Sequence, residues 1–149
     1  YTKYQICSYF TGQPMGIVID TNVFIDIENG RCDVDGLARF KEYGDTYISV
    51  VTISELLLGV HLATDDSSRI RREAFVENII SAMPSLEFNK EVARVYSHIY
   101  SIFLKPRSKL GSNVHDLQIA STALAHGYPV LTSNVNDFKK IPGLTVLSL

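Results

Sequence analysis

Residues 17–19, Ile-Val-Ile, follow Gly16 without a polar break and stop at Asp20. A short continuous apolar run of β-branched residues reads as a strand buried on both faces. Val23, Phe24 and Ile27 then recur at helical spacing, and Gly30 ends that period as a C-cap. The alternation continues along the chain: a short helix over residues 35–43, a strand over 46–51, and a helix opening at Thr52. A long amphipathic helix over 67–82 places Ile70, Ala74, Ile79 and Ile80 inward and Arg69, Arg71 and Arg72 outward, and Pro84 stops it. Residues 86–88 form a short strand, and the helix after Asn89 is broken by Pro106. A polar stretch leads to a helix over 114–126 closed by Gly127, then a strand in "PVLTS", a helical turn in "NVNDFKKI" and a last strand in "LTVLSL".

Strands that alternate with helices, and are apolar throughout, predict an α/β fold. Its central sheet is mainly parallel, has four to five strands and carries helices on both faces. Right-handed crossovers bring every strand's C-terminal end to one edge, which is where ligand crevices lie in open α/β sheets.

Composition narrows the class without changing the fold. A chain of 149 residues with 46% hydrophobic and 20% charged positions builds one ordinary globular core. Cys7 and Cys32 lack metal-type spacing, which fits reduced thiols and predicts a cytoplasmic protein. No apolar run approaches the ~20 residues needed to span a bilayer. The formal net charge of −2 argues against indiscriminate coating of nucleic acid. It does not argue against cutting nucleic acid through bound cations, because acidic metal ligands themselves lower the charge. Residues 1–15 show neither a regular period nor the layout of a secretory signal. With Met15 directly before the first strand, the expectation is a leader over 1–15 with no assignable role and one domain over 16–149.

Chemistry concentrates at the predicted edge. Asp20 ends the first strand, Glu55 lies early in the helix after the second, and Asp116 lies in the first turn of the helix that runs back to "PVLTS". Asn134 follows that strand directly, so three carboxylates and a carboxamide converge if the sheet is parallel. Each has a local explanation. Asp20 can cap the helix after it, Thr52 and Glu55 have capping-box spacing, and Asp116 after Asn113 is favoured by the helix dipole. Collectively, three anions in one crevice repel one another and call for a counter-charge. No Arg or Lys lies within four residues of Asp20 or Glu55. All-oxygen ligands suit Mg²⁺ or Mn²⁺, the cations of metal-assisted phosphodiester hydrolysis.

"IVIDTNVFID", "ISVVTISELLLGV" and "HDLQIASTALAHGYPVLTSNVNDFKKIPGLTVL" resemble the PIN-domain ribonucleases, specifically the VapC-type toxins of bacterial toxin–antitoxin pairs. The resemblance runs from Gly16 to Leu149 in family order and spacing. It implies a Mg²⁺-dependent endoribonuclease, with Mn²⁺ able to substitute. A metal-activated water would attack the RNA phosphorus in line, leaving 5′-phosphate and 3′-hydroxyl ends. It further implies that Asp20, Glu55 and Asp116 hold the metal and that Asn134 takes the family's fourth polar position, with Asp137 a lesser candidate. Asn is a neutral and weaker ligand, which puts a fully occupied second metal site in question. His115 stands where the family commonly has Asn, either touching substrate or lying on the surface. Thr21, Asn22 and Thr132 are candidates to orient the ligands through hydrogen bonds. The implied partners are RNA, a small antitoxin that plugs the site, and a second copy of the chain in a homodimer or larger toxin–antitoxin assembly.

Two other readings stay open at this point. One is a PIN nuclease of RNA maturation or decay without an antitoxin. The other is a receiver-like Mg²⁺-binding signalling domain, which wants an acidic pair closing the first strand and an Asp closing a middle one. Lys105, Arg107 and Lys109 precede Asp116 and could hold an RNA backbone, as could Lys139 and Lys140 near Asn134, or they form solvated loops. Arg69, Arg71 and Arg72 read as a wet helix face. His61, His98 and His126 lack ligand spacing, and Tyr96, Tyr100 and Phe103 share helical spacing that suits the core or an oligomer contact.

Overall fold

The computed structural model describes residues 15–105 and 113–149. The expectations placed on residues 1–14, and on Arg107 and Lys109, lie outside the described residues. Within them the chain forms β1 (Gly16–Ile19), α1 (Thr21–Glu28), a 3₁₀ segment (Val34–Tyr43), β2 (Asp45–Ser49), α2 (Val50–His61) and α3 (Asp66–Ala82). There follow β3 (Ser85–Leu86), α4 (Lys90–Phe103), α5 (Val114–His126), β4 (Val130–Thr132), α6 (Val135–Phe138) and β5 (Val146–Ser148).

The five strands lie in the order β3-β2-β1-β4-β5, and every pairing is parallel. β1 occupies the centre, flanked by β2 and β4, and all four of its residues are buried. Because side chains alternate across a strand, Val18 faces one layer while Ile17 and Ile19 face the other. Val18 joins Val95, Ile99, Phe103, Leu117, Ile119 and Phe138, which places α4 and α5 on that face. Ile17 and Ile19 join Phe24, Leu56, Val60, Val76 and Ile79, which places α1, α2 and α3 on the opposite face. Each fully buried aliphatic or aromatic side chain contributes roughly 1.5–3 kcal/mol, so the central strand is anchored from both sides. That rigidity matters because Asp20 is the next residue.

Several local expectations shift. The strand over 46–51 ends two residues early: Ser49 turns out of β2 and accepts a hydrogen bond from the Val51 amide, capping α2. Thr52 is therefore inside the helix, and Glu55 stands in its second turn, so the Thr52–Glu55 capping box does not exist. The short helix near 35–43 is 3₁₀ rather than α. Gly44 ends it at φ +96°, where a Cβ would sit 2.6 Å from the Met15 carbonyl carbon. Only glycine fits that approach. Gly127 closes α5 at φ +72°, as its position in the sequence predicts.

The inward face of α3 also differs. Ile70 is 59% exposed, and the buried positions are Val76 and Ile79. Arg72 is only partly solvated. It donates from Nη1 to the Gly59 carbonyl and from Nε to Glu28, tying α3 to α2 and α1. Tyr96 and Tyr100 stack on α4 as parts of the packed wall, with Phe88 edge-on to Tyr96. His126 closes α5 by sharing a hydrogen with the Thr122 carbonyl. Among the described residues no helix is long and apolar enough to cross a membrane.

Candidate metal centre

The C-terminal ends of β1 and β4 lie side by side, with Ile19 opposite Leu131. The chain leaves β1 at Asp20 and β4 at Ser133, while α2 and α5 both begin at this same edge. Asp20, Glu55, Asp116 and Asn134 are thereby delivered to one crevice by four different elements.

Asp20 is 1% exposed. It occupies the N-cap position of α1, yet its carboxylate makes no capping hydrogen bond. Instead Oδ2 accepts a 2.8 Å hydrogen bond from Thr132 Oγ1. Among the described residues its other oxygen, Oδ1, is buried without any hydrogen-bond partner. The helix-cap reading of Asp20 therefore fails. An unpartnered buried carboxylate oxygen is costly in a protein interior and calls for either a proton or a cation.

Thr132 is fully buried, and its hydroxyl has a second duty: it accepts from the Asn134 amide at 2.9 Å. With that lone pair engaged, its single proton is directed at Asp20. The Asn134 side chain donates from Nδ2 to Asp137 at 2.6 Å. Asp137 also stands 3.8 Å from Lys140, on the open side of the crevice.

Glu55 is 23% exposed and is held at both oxygens. Thr21 Oγ1 donates to Oε1 at 2.8 Å, and Nδ1 of His115 meets Oε2 at 3.2 Å. Buried Thr52 stands 3.1 Å behind Thr21. Since Thr21 has one proton and its shorter contact is Glu55, the hydroxyl chain runs from Thr52 through Thr21 to the carboxylate. His115 thus belongs to the crevice rather than to the open surface. Asn113 caps α5 by accepting from the His115 amide, which leaves the Asp116 side chain free of capping. Asn22, in the first turn of α1, makes no side-chain hydrogen bond within the described residues.

The electrostatics follow from this gathering. Burial raises the Asp20 carboxyl from 3.8 to about 7, opposed by the Thr132 hydroxyl and, more weakly, by the nearby Thr21 backbone amide, and reinforced by Asp116 and Glu55. Burial also raises Asp116 from 3.8 to about 6, with Glu55 and Asp137 adding repulsion and His115 relieving part of it. Among the described residues no three His, Cys, Asp or Glu side chains close into a ready-made cage. The crevice is instead open, with one orphaned carboxylate oxygen and mutually repelling acids around it. An open all-oxygen site suits a hard cation such as Mg²⁺, which takes one or two carboxylates and keeps the rest of its shell as water. The residues present fit such an ion.

The sequence singled out Thr21 and Thr132 as hydrogen-bonding partners of the acids, and they pair with Glu55 and Asp20; what it missed is the part played by Thr52. Thr52 read as a cap, and the direction in which Asn134 points is invisible in "TSNVNDF". The proximity of Thr132 to Asp20, 112 residues apart, is also a product of packing.

Comparison with known proteins places this architecture. The PIN domain family model matches residues 17–144. The chain is 39% identical to Ribonuclease VapC1 of Rickettsia felis, over 91% of this chain and 97% of that one. It is 35% identical to Ribonuclease VapC4 of Mycobacterium tuberculosis, over 87% and 94%. Among solved structures it is similar to VapBC-5, a toxin–antitoxin system from Mycobacterium tuberculosis, with TM-score 0.70, 28% identity and 91% and 98% coverage. VapBC2 from Rickettsia felis, bound to a promoter DNA fragment, superposes with TM-score 0.78 at 22% identity, over 90% and 98% of the two chains.

Proposed function

The chain belongs to the PIN-domain family, among its VapC ribonucleases, and on that premise we propose that it is a metal-dependent endoribonuclease, the toxin of a toxin–antitoxin pair. The observation that carries the catalytic part is the orphaned Oδ1 of Asp20 in a crevice shared with Glu55 and Asp116. Asp20 and Asp116 are the residues that would hold Mg²⁺ or Mn²⁺, with Glu55 as the third acid. When bound, such a cation supplies positive charge at the scissile phosphate and lowers the pKa of a water.

The chain's own residues do the positioning. Asp20 is fixed at the end of the central strand and steadied by Thr132. Glu55, braced between Thr21 and His115, is placed to orient an attacking water by accepting its hydrogen. Asn134 and Asp137 engage each other at the rim, and a neutral Asn there weakens any second cation. Lys139 and Lys140, with Lys105, offer positive charge to an RNA backbone. The PIN unit occupies 16–149, acting in the cytoplasm as a homodimer until a small antitoxin blocks the crevice. No strand among β1, β2 and β3 ends on an acidic pair or an inner-strand Asp, which removes the receiver-like alternative.

The test is cleavage of RNA by the purified chain with Mg²⁺, with a chelator, and with Asp20→Asn and Asp116→Asn. Cleavage should vanish with chelator and fall at least about 10³-fold in each variant, since each removes a charge that holds the cation on which the reaction depends. Undiminished cleavage by both variants would overturn the assignment. A short neighbouring reading frame whose product binds the chain and stops cleavage would establish the toxin role over an RNA-maturation role.

A further inference from the structure

The unequal treatment of the two oxygens of Asp20 has consequences for which cation the crevice accepts. Oδ2 carries a hydrogen bond from Thr132, a fully buried residue whose own lone pair is tied to the Asn134 amide. Thr132 lies in β4, paired between β1 and β5, so its backbone is fixed, and burial together with the bond from the Asn134 amide holds its hydroxyl in place. Oδ1 has no partner. Glu55 differs in having both oxygens engaged, but unequally: Oε1 is held from within by buried Thr21, backed by Thr52, while Oε2 meets, among the described residues, the half-exposed imidazole of His115 on the solvent side, a partner a cation can displace.

We infer that Thr132 and Thr21 are positioning residues that make Asp20 and Glu55 present one carboxylate oxygen each, and that this one-oxygen presentation selects Mg²⁺ or Mn²⁺ over Ca²⁺. The inference rests on the cation-binding reading above. The physical basis is coordination chemistry. Mg²⁺ requires near-octahedral geometry at short distance and takes single carboxylate oxygens. Ca²⁺ takes 6–8 oxygens at longer distance and gains from carboxylates that bind through both. An oxygen already accepting a buried hydroxyl proton has less charge to give a second metal contact, and its carboxylate cannot rotate to share both oxygens evenly.

The experiment is calorimetric titration of the full chain with Mg²⁺, Mn²⁺ and Ca²⁺ separately. It compares wild type with Thr132→Val, Thr132→Ser, Thr21→Val and Asp20→Asn, and each variant's fold is checked by circular dichroism. Removing an outer-shell partner typically lowers metal affinity about 10–100-fold. Thr132→Val should lose Mg²⁺ affinity on that scale while Ca²⁺ affinity holds or rises, so that the preference collapses. Thr132→Ser keeps the hydroxyl and should restore it. Thr21→Val gives the same reading at Glu55 and stands in if Thr132→Val does not fold. An unchanged Mg²⁺-to-Ca²⁺ affinity ratio in the folded valine variants overturns the inference and leaves the cation site intact. Equal metal binding by wild type and Asp20→Asn overturns the cation site itself, and the inference with it.

Discussion

Replacing Asp20 with Asn should stabilise the metal-free protein above neutral pH while destroying its response to Mg²⁺. Burial raises the Asp20 carboxyl from 3.8 to about 7. The native state therefore holds a proton that the unfolded chain has released, and stability falls as pH rises between those values. The stability is fully present below 3.8 and the loss is complete once pH passes about 7. At ~1.4 kcal/mol per unit, the ionised carboxylate costs the native state on the order of 4 kcal/mol at pH 8. Asn carries no charge and keeps an acceptor for Thr132, but its amide arrives where Oδ1 has no partner. That unmet donor costs about 1–3 kcal/mol. The expected net gain at pH 8 is thus roughly 1–3 kcal/mol, or several degrees in Tm for a chain of this size. Near pH 4.5 the wild-type penalty has shrunk to about 1 kcal/mol, so the order reverses and the variant should be the less stable by up to about 2 kcal/mol. Asp116, raised to about 6 by burial and by Glu55, leaves a shallower slope of the same sign in the variant. The assay is urea denaturation in chelator from pH 4.5 to 8, repeated with Mg²⁺ at pH 8. Mg²⁺ should raise the midpoint of wild type and leave Asp20→Asn unmoved. A wild-type stability that is flat or rising over this range, or a variant no more stable at pH 8, would refute the account of Asp20 as a buried, uncompensated acid.

Other perturbations test the scaffold. Gly44→Ala meets both a positive φ and the Met15 backbone 2.6 Å away; a loss of about 2–3 kcal/mol in urea denaturation is expected, where an ordinary surface turn loses less than half as much. Arg72→Met removes the donors to Gly59 and Glu28. The pair with Glu28 is partly solvated, so a loss of about 1 kcal/mol is expected, together with faster amide exchange in α3 and unchanged metal affinity. Phe138→Ala empties a fully buried position beneath the segment that carries Asn134 and Asp137; about 3–5 kcal/mol of stability should be lost by thermal unfolding.

The β/α order was readable from hydrophobic period alone, because a strand buried on both faces and a helix with one apolar stripe leave different local signatures. Ile17, Val18 and Ile19 are such a strand, and the crossovers that follow force Asp20, Glu55, Asp116 and Asn134 to one edge. In this sense the sequence by itself determined that acids meet there, and the ordered motifs around them pointed to the family. What the acids do to one another was settled only by packing. Ser49 rather than Thr52 caps α2, because the chain turns out of β2 two residues sooner than its apolar run suggests. That early turn is what frees Thr52 to stand behind Thr21. Arg72 looks like surface charge in a linear pattern, yet α2 crosses close enough to offer it a carbonyl. Asn134 turns to Asp137, and Thr132 takes the place beside Asp20 that Asn134 does not fill. Period and turn chemistry act over a few residues, so they specify elements and their order. Hydrogen bonds such as Thr132 to Asp20 join positions far apart in the chain, and their donors and directions exist only once the two layers have closed on the sheet.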